Sequence, residues 1–175
     1  MLSKKCRICR QPNRPFKNTC SIECEAELGL KLLEKAKRAE AKQVRAVDKV
    51  RKEKLKRRAD WIEEAQRAFN AYIRARDADK PCICCGKPFE PQKPGGSMDA
   101  GHFISRGAAP HLRFNENNVF GQRKNCNRPG GAKRHEFRAG VIDRIGLQAV
   151  EELEADNTVQ KWSIDDLKQI KEKYK

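Results

Sequence analysis

The sequence predicts a mostly helical α+β protein whose small units are held together by bound metal. Eight cysteines occur in a chain of 175 residues, and they form two groups separated by a long stretch rich in helix-forming residues. Only 38% of the residues are hydrophobic and 6% are aromatic. A single large core is therefore not expected, and small units of this composition need metal ions or disulfides for stability.

The charge balance indicates a phosphate-rich partner. The formal net charge is +15 and the sequence pI is about 9.7, which favours fast, salt-sensitive association with nucleic acid. The N-terminus has no apolar signal-peptide core, and no apolar run approaches membrane-spanning length. The sequence thus predicts a cytoplasmic protein without a membrane partner. In that reducing compartment, clustered cysteines bind metal more often than they form disulfides.

The first predicted domain is a zinc-binding segment over residues 1–24. Its four thiols lie in two close pairs, Cys6 with Cys9 and Cys20 with Cys24. This spacing is typical of a closed tetrahedral zinc site. Four protein ligands leave no open position for catalysis, so the predicted role of this zinc is to fold the segment.

The second predicted domain, residues 25–79, is a long basic helical arm. It contains no proline and a single glycine, Gly29, and good helix formers dominate it. We expect one long helix or two nearly continuous ones, which together would extend about 80 Å. A thin apolar stripe leaves two interpretations open, a coiled-coil arm or a solvated helix lying along DNA.

Basic residues in this arm are candidates for phosphate contacts. Residues 31–60 contain 13 basic and 5 acidic side chains, an imbalance that favours DNA. The candidates are Lys49, Arg51, Lys52, Lys56, Arg57 and Arg58.

The third predicted domain, residues 80–175, carries the chemistry. It opens with a cysteine knuckle, Cys82 to Cys85, and Cys126 lies further along the chain. Strands are predicted over 98–104 and 119–123, and helices over 132–145, 147–156 and 163–174. The last helix begins with a capping-box spacing, from Ser163 to Asp166.

Several polar residues of this domain could cleave a phosphodiester bond. His102 is the candidate base, because an unperturbed imidazole titrates near neutrality. Asp99 and Asn127 supply oxygen ligands suited to Mg²⁺ or Mn²⁺. Asn118 could fix the loop by hydrogen bonds to its backbone, and Arg106 and Arg113 could hold phosphates.

These motifs resemble a known family. The order of His102, Asn118 and Asn127 resembles the His-Asn-Asn form of the HNH nuclease superfamily. Asp99-Ala-Gly-His102-Phe, Gly107-Ala-Ala-Pro110, Leu112-Arg-Phe-Asn115 and Cys126-Asn127-Arg128 look like the NinG (Rap) recombination proteins of lambdoid phages, and the resemblance covers most of the chain. Phage endonuclease VII, a zinc-containing resolvase, is more distantly similar.

The resemblance implies an HNH-like ββα-metal fold pinned by a second zinc and followed by helices. It implies a catalytic set that includes His102 and Asn118, a metal-ligand role for Asn127, and Mg²⁺ or Mn²⁺ as the catalytic ion. The implied substrates are branched DNAs such as Holliday junctions and D-loops, inside the bacterial host cell. A homodimer is expected, because a two-fold junction needs two cuts, and other recombination proteins are possible partners.

Two positions depart from the family pattern. Arg123 stands where the family has a cysteine, so the second zinc has Cys82, Cys85 and Cys126 but lacks its obvious fourth thiolate. Cys84, His111, His135 or water could complete the site. Phe120 stands where the family tends to have a histidine, and activity would suffer if that histidine bound metal or phosphate.

The leading interpretation is a metal-dependent, structure-selective DNA endonuclease of phage recombination. One alternative is a DNA-binding recombination accessory with a degenerate HNH unit, which the residues at positions 120 and 123 favour. Another is a zinc-finger regulator that binds nucleic acid, which explains the cysteines and charge but not the histidine and asparagine series.

Overall fold

A long helix precedes a two-stranded sheet that is packed among shorter helices. The structure is a computed structural model, and it describes residues 5–13, 17–90 and 96–175. By contacts the chain divides into two units, residues 1–56 and 57–175. The predicted domain boundaries after residues 24 and 79 were drawn from composition, whereas the second helix of the arm groups by contact with the C-terminal unit.

The arm consists of two helices, α1 (Ile22–Leu55) and α2 (Arg58–Arg76). Ser21 caps the start of α1 by accepting a hydrogen bond from the backbone of Cys24. At Lys56 the backbone becomes extended and α1 ends. Asp60 accepts a hydrogen bond from the Arg57 N–H over 2.7 Å, which satisfies a free donor at the start of α2. The chain thus follows the second expectation for the arm, two nearly continuous helices.

The sheet pairs β1 (Met98–His102) with β2 (Val119–Arg123) in antiparallel register, from Met98 opposite Arg123 to His102 opposite Val119. The second strand matches its predicted bounds, but the first ends two residues before the predicted Ile104. The side chain of Asn118 accepts from Ile104 N over 2.8 Å and donates to Ile104 O over 3.0 Å. At Ile104 these side-chain bonds take the place of backbone hydrogen bonds between the strands, and the chain leaves the sheet.

Four helices follow the sheet: α3 (Lys124–Asn127), α4 (Arg134–Ile145), α5 (Leu147–Ala155) and α6 (Ile164–Lys173). The last three lie within the predicted helical ranges, and Ser163 and Asp166 form the predicted capping box. The mostly helical α+β class is therefore confirmed. Among the residues that the structure describes, no helix combines the length and apolar character needed to span a bilayer.

Two buried clusters support the sheet. On one side, α2 contributes Trp61, Phe69 and Ile73 to a cluster that includes Val119 and Leu167. The second cluster joins the cysteine knuckle to the sheet and the later helices, through Ile83, Phe103, Phe120, Phe137, Val141 and Val150. A Cβ on Gly140 would lie 1.8 Å from Ile83 O, so only glycine lets α4 approach the knuckle this closely.

Candidate active site and metal centres

The N-terminal cysteines form a site that fits a tetrahedral metal ion. The Sγ atoms of Cys6, Cys9, Cys20 and Cys24 all lie within 4.8 Å of one another. The Sγ atoms of Cys9 and Cys20 are 3.3 Å apart, and those of Cys20 and Cys24 are 3.8 Å apart. Tetrahedral zinc with Zn–S bonds of about 2.3 Å requires sulfur separations of roughly 3.8 Å. These four thiols could therefore hold a metal ion such as zinc.

The second cluster repeats the backbone geometry of the first. Cys6 N donates to Gln11 O and Arg10 N donates to Cys6 O; likewise Cys82 N donates to Lys87 O and Gly86 N donates to Cys82 O. The residue after the second cysteine is left-handed in both, with φ of 64° at Arg10 and 65° at Gly86. This shared turn directs the two thiols of each pair toward the same point.

Three thiols meet at this second knuckle, those of Cys82, Cys85 and Cys126, with their Sγ atoms within 4.8 Å of one another. The Arg123 N–H donates to Cys82 Sγ over 3.2 Å. A hydrogen bond from the Cys84 thiol, opposed by burial but aided by that N–H, lowers the pKa of Cys82 to about 4. Burial and the nearby Cys85 and Cys82 thiols raise the pKa of Cys126 to about 12. Neighbouring thiols resist joint ionisation unless a cation balances them, as a metal ion would.

Cys84 and His135 are the two nearby candidates for the fourth metal ligand of this cluster. Cys84 accepts a hydrogen bond from Gln122 Nε2 over 3.0 Å, and it lines a groove together with Cys82 and His135. His111 is engaged elsewhere, because its Nε2 lies 3.1 Å from Asp156 O. Arg123 directs its guanidinium to Glu90, so its positive charge is balanced by a carboxylate.

Four of the predicted site residues share a polar cleft of about 370 Å³ beside the first strand. Seven of its eight lining residues are polar, and two arginines outnumber one carboxylate. The lining residues are Asn70, Arg74, Asp99, Ala100, His102, Ser105, Arg106 and Asn127. The structure thus brings together His102, Asp99, Asn127 and Arg106, which the sequence singled out separately.

The ring of His102 is held in a defined tautomer. His102 is the last residue of β1, whereas the longer predicted strand, 98–104, placed it near the middle. Its Nε2 is 3.0 Å from the carbonyl oxygen of Arg113. A carbonyl only accepts hydrogen bonds, so Nε2 carries the proton and Nδ1 keeps its lone pair. Burial, with further contributions from Arg106 and Arg113, lowers the pKa of His102 to about 4. The imidazole is therefore neutral at cellular pH.

Asp99 and Asn127 are direct neighbours in the cleft. Asn127 Nδ2 donates to Asp99 Oδ2 over 3.2 Å, although the two residues lie on β1 and α3. Asp99 is half-buried and Asn127 is exposed. A carboxylate and an amide oxygen at this separation suit a hard divalent cation once the amide turns its oxygen inward. The donor set therefore fits Mg²⁺ or Mn²⁺.

Two predicted residues lie outside the lining of the cleft. Asn118 is fully buried, and besides its bonds to Ile104 it donates to Leu112 O over 3.1 Å. It fixes the loop as expected, but its burial keeps it from touching a substrate, so its position provides support to His102 and not direct catalysis. Arg113 donates from its guanidinium to Gln66 Oε1 over 3.3 Å, while its carbonyl orients His102.

Phe120 has no access to the cleft. It is 2% exposed and belongs to the second buried cluster, and the guanidinium of Arg76 lies 5.4 Å from its ring centre. A phenylalanine at this position therefore fills the core, and it takes no ligand away from Asp99 and Asn127.

The basic candidates of the arm have different surroundings. Lys49, Arg51 and Lys52 are exposed on α1. Lys56 lies 3.6 Å from Glu53, Arg57 lies 3.8 Å from Asp60, and Arg58 donates to Trp162 O over 2.9 Å. The last three thus have partners within the chain.

Sequence reasoning missed two groups of residues that the geometry reveals. Asn70 and Arg74 of α2 line the cleft, and their spacing of four residues, one helical turn, was the signal for a shared face. A basic stripe also runs along α1, with basic residues at alternating spacings of four and three that keep them on one helix face. The stripe consists of Lys49, which the sequence analysis had named as a phosphate contact, and the unnamed Lys31, Lys35, Arg38, Lys42 and Arg45.

Together these features define a class: a basic, mostly helical α+β protein with two cysteine clusters that could hold a metal such as zinc. A family profile described as "Bacteriophage Lambda NinG protein" matches residues 1–175. Relatives named "Protein ninG" are 37% identical in Escherichia phage 933W, over 98% of this chain and 90% of the relative. In Escherichia phage lambda the identity is 44% over 72% of this chain and 59% of the relative. The chain belongs to the NinG family of phage proteins.

A third relative, "Protein ninG" of Salmonella phage P22, is 37% identical over 98% of this chain and 88% of its own length. No solved structure matches the chain. The family is thus shown by sequence along nearly the whole chain.

Proposed function

We propose that this chain is a metal-dependent, structure-selective endonuclease that cleaves branched DNA, such as Holliday junctions and D-loops, during phage recombination in the host cell. The observation that carries the proposal is the shared cleft of His102, Asp99, Asn127 and Arg106. Around the cleft the chain forms two strands and then a short helix, with cysteines beside them. This order of elements supports an HNH-like ββα-metal arrangement.

The role of His102 follows from its hydrogen bond. With Nε2 held by the carbonyl of Arg113, Nδ1 is the atom that takes a proton from the attacking water. The neutral state needed for a base is populated at pH 7, because burial lowers the pKa of the ring to about 4. A buried base this weak acts on a water that is already acidified, so the proposal requires a cation in the cleft.

Asp99 and Asn127 would hold that cation. Mg²⁺ or Mn²⁺, when bound, would lower the pKa of water and neutralise charge on the leaving oxygen. Arg106 and Arg74 supply positive charge at the walls of the cleft, where they would hold the scissile and neighbouring phosphates. The thiol clusters would bind zinc and keep the frame rigid.

Cleavage of a synthetic four-way junction tests the proposal. Purified protein should nick or resolve the junction with Mg²⁺ or Mn²⁺, and His102→Ala should lower the single-turnover rate by about 10²–10⁴-fold. His111→Gln is the matched control, because its amide can still donate to Asp156 O and His111 lies away from the cleft. Wild-type activity in His102→Ala would remove His102 from the mechanism.

One observation favours a DNA-binding accessory without cleavage as the second candidate. The second cluster brings together three thiols where a closed zinc site has four, so the frame beside the cleft is less firmly fixed. The same assay separates the two functions. Junction binding without any cleavage under every divalent ion would support the accessory and contradict the nuclease.

A further inference from the structure

Six apolar residues of α1 form an exposed stripe. Ile22, Leu33, Val44 and Leu55 recur every eleven residues, which is close to three full turns, so they share one helix face. Leu30 and Val47 flank them. All six side chains are 54–81% exposed, and α1 buries no residue in the structure. A stripe of this length on one helix is typical of a surface that pairs with another helix.

We propose that α1 pairs in antiparallel orientation with α1 of a second copy of this chain. The stripe is symmetric about the middle of α1, because its members form pairs whose residue numbers add to 77. A two-fold axis at the helix centre therefore sets each of these six apolar residues against another of them. Leu32 and Val50, which are also exposed, match Arg45 and Glu27 instead and lie about 100° around the helix from Leu33. The matched pairs are Ile22 with Leu55, Leu30 with Val47, Leu33 with Val44, and Ala36 with Ala41.

The two charged residues at the centre of the stripe obey the same symmetry, whereas Asp48 and Arg51 match Gly29 and Ala26. Lys37 and Glu40 also add to 77, so Lys37 of one copy lies opposite Glu40 of the other, twice. Near the ends, Glu23 matches Lys54 and Glu25 matches Lys52 in the same way. A parallel pair in register would instead place Lys37 beside Lys37 and the acidic ends beside each other, which is unfavourable. Charge complementarity thus selects a second, antiparallel copy as the occupant.

The pairing leaves the basic stripe accessible. Lys35 and Lys42 lie on the helix face opposite Leu33 and Val44, at about 100° per residue. Self-association and phosphate binding therefore use different faces of α1. The arm can serve as a coiled-coil strand and as a DNA contact at once, the two alternatives that its sequence left open.

Sedimentation equilibrium of the full chain, with zinc and without DNA, tests the pairing. The wild type should dimerise, and Leu33→Asp should make it monomeric. Lys37→Glu should weaken the dimer roughly tenfold by setting carboxylates opposite each other, and adding Glu40→Lys should restore it. Lys35→Glu is the matched control on the opposite face and should leave the dimer intact. Because α1 buries no residue, these variants should keep their fold, which circular dichroism and zinc content check.

A carbodiimide, which joins a lysine to a carboxylate without a spacer, tests the orientation. In the antiparallel dimer, Lys54 should cross-link to Glu23 of a different copy, as mass spectrometry of mixed isotope-labelled chains would show. Within one helix these residues are about 46 Å apart, so neither an isolated nor a parallel α1 can form this link. A chain that is monomeric, a dimer that survives Leu33→Asp, or a dimer without the Lys54–Glu23 link would each overturn the proposal. The measurement needs neither DNA nor a catalytic ion, so its failure is distinct from failure of the nuclease function.

Discussion

At the residue scale, one buried carboxylate connects α2 to the sheet beneath the cleft. Asp77 is 1% exposed and accepts from Gly121 N over 2.7 Å. Its other partners are Arg76 at 2.9 Å, Lys80 at 3.3 Å and Arg144 at 3.5 Å. The sequence identified this segment only as the end of a helix. The bonds to position 121 depend on tertiary packing and leave no local signal.

Replacing this carboxylate should destabilise the C-terminal unit. Asp77→Asn removes the negative charge facing three cations, and we expect a loss of roughly 2–4 kcal/mol in the free energy of unfolding. Chemical denaturation followed by tryptophan fluorescence would measure it. Asp79→Asn is the matched control, because Asp79 is exposed and its replacement should change stability by less than about 0.5 kcal/mol.

The pH dependence of this contribution has a defined sign. Burial raises the pKa of Asp77, but hydrogen bonds from Arg76 and Gly121 outweigh it, and the net pKa lies below 3.8. The contribution is therefore complete above pH 3.8 and declines as the pH falls through the lowered pKa. Unfolding free energies of wild type and Asp77→Asn should converge in acid. A constant difference down to about pH 2 would contradict this account.

The pKa of His102 determines the expected acid side of the pH–rate profile. A base with an ordinary histidine pKa would lose half its activity near pH 6.5. Burial lowers the pKa of His102 to about 4, and the base is active when deprotonated. Single-turnover junction cleavage should therefore change little between about pH 7.5 and pH 5.5 on account of this group. A half-maximum near pH 6.5 that His102→Ala removes would contradict the buried geometry.

At the element scale, the basic stripe on α1 should dominate the salt dependence of DNA binding. Replacing Lys35, Lys42, Arg45 and Lys49 with alanine removes up to four phosphate contacts. The slope of log K against log salt should fall by as much as about 3.6, since each contact contributes roughly 0.9. Fluorescence anisotropy with a labelled junction measures it. Alanine at Lys161, Lys168 and Lys175, outside α1, is the control, and an equal effect there would remove the stripe from DNA contact.

Elements with a strong local pattern could be predicted from the sequence. The capping box at Ser163 followed from its cap spacing, and the second strand has its predicted bounds, Val119 to Arg123. The break at Lys56 had no glycine or proline to mark it, and Asp60, which caps the next helix, was its one local sign. The early end of β1 depends on the side chain of Asn118, fourteen residues beyond Ile104. Local patterns thus predict which elements form better than where they end.

At the scale of the whole molecule, the cleft combines predictable and unpredictable parts. His102 and Asn127 could be identified because their order in the chain follows a known motif. Asp99 could be identified because it supplies an oxygen ligand near His102 in sequence, although its separation of three residues departs from that motif. Asn70 and Arg74 were missed. Their spacing of four places them on one helix face, but which face of α2 meets the sheet depends on tertiary packing. The sequence predicted reduced activity from Phe120 if the family's histidine bound metal or phosphate, because a position in a motif does not show which way its side chain faces.

Each of the two units contains one cysteine cluster, so we expect two zinc ions per chain. Cys9→Ser should remove one zinc and leave the thermal transition of residues 57–175 unchanged, because Cys9 belongs to the other unit, residues 1–56. Cys85→Ser should remove the other and lower that transition, because its knuckle packs with Ile83 against Phe120 and Val141. Elemental analysis and calorimetry measure both effects.

The two zinc ions should also differ in affinity. The first cluster offers four thiolates and the second brings together three, so a competing chelator should strip the C-terminal zinc first. Cys84→Ser decides the fourth ligand: it should raise the rate of that loss if Cys84 closes the site, and leave it unchanged if His135 or water does. Zinc that is absent from wild type, or that survives serine at both Cys9 and Cys85, would contradict the assignment of these thiols as ligands.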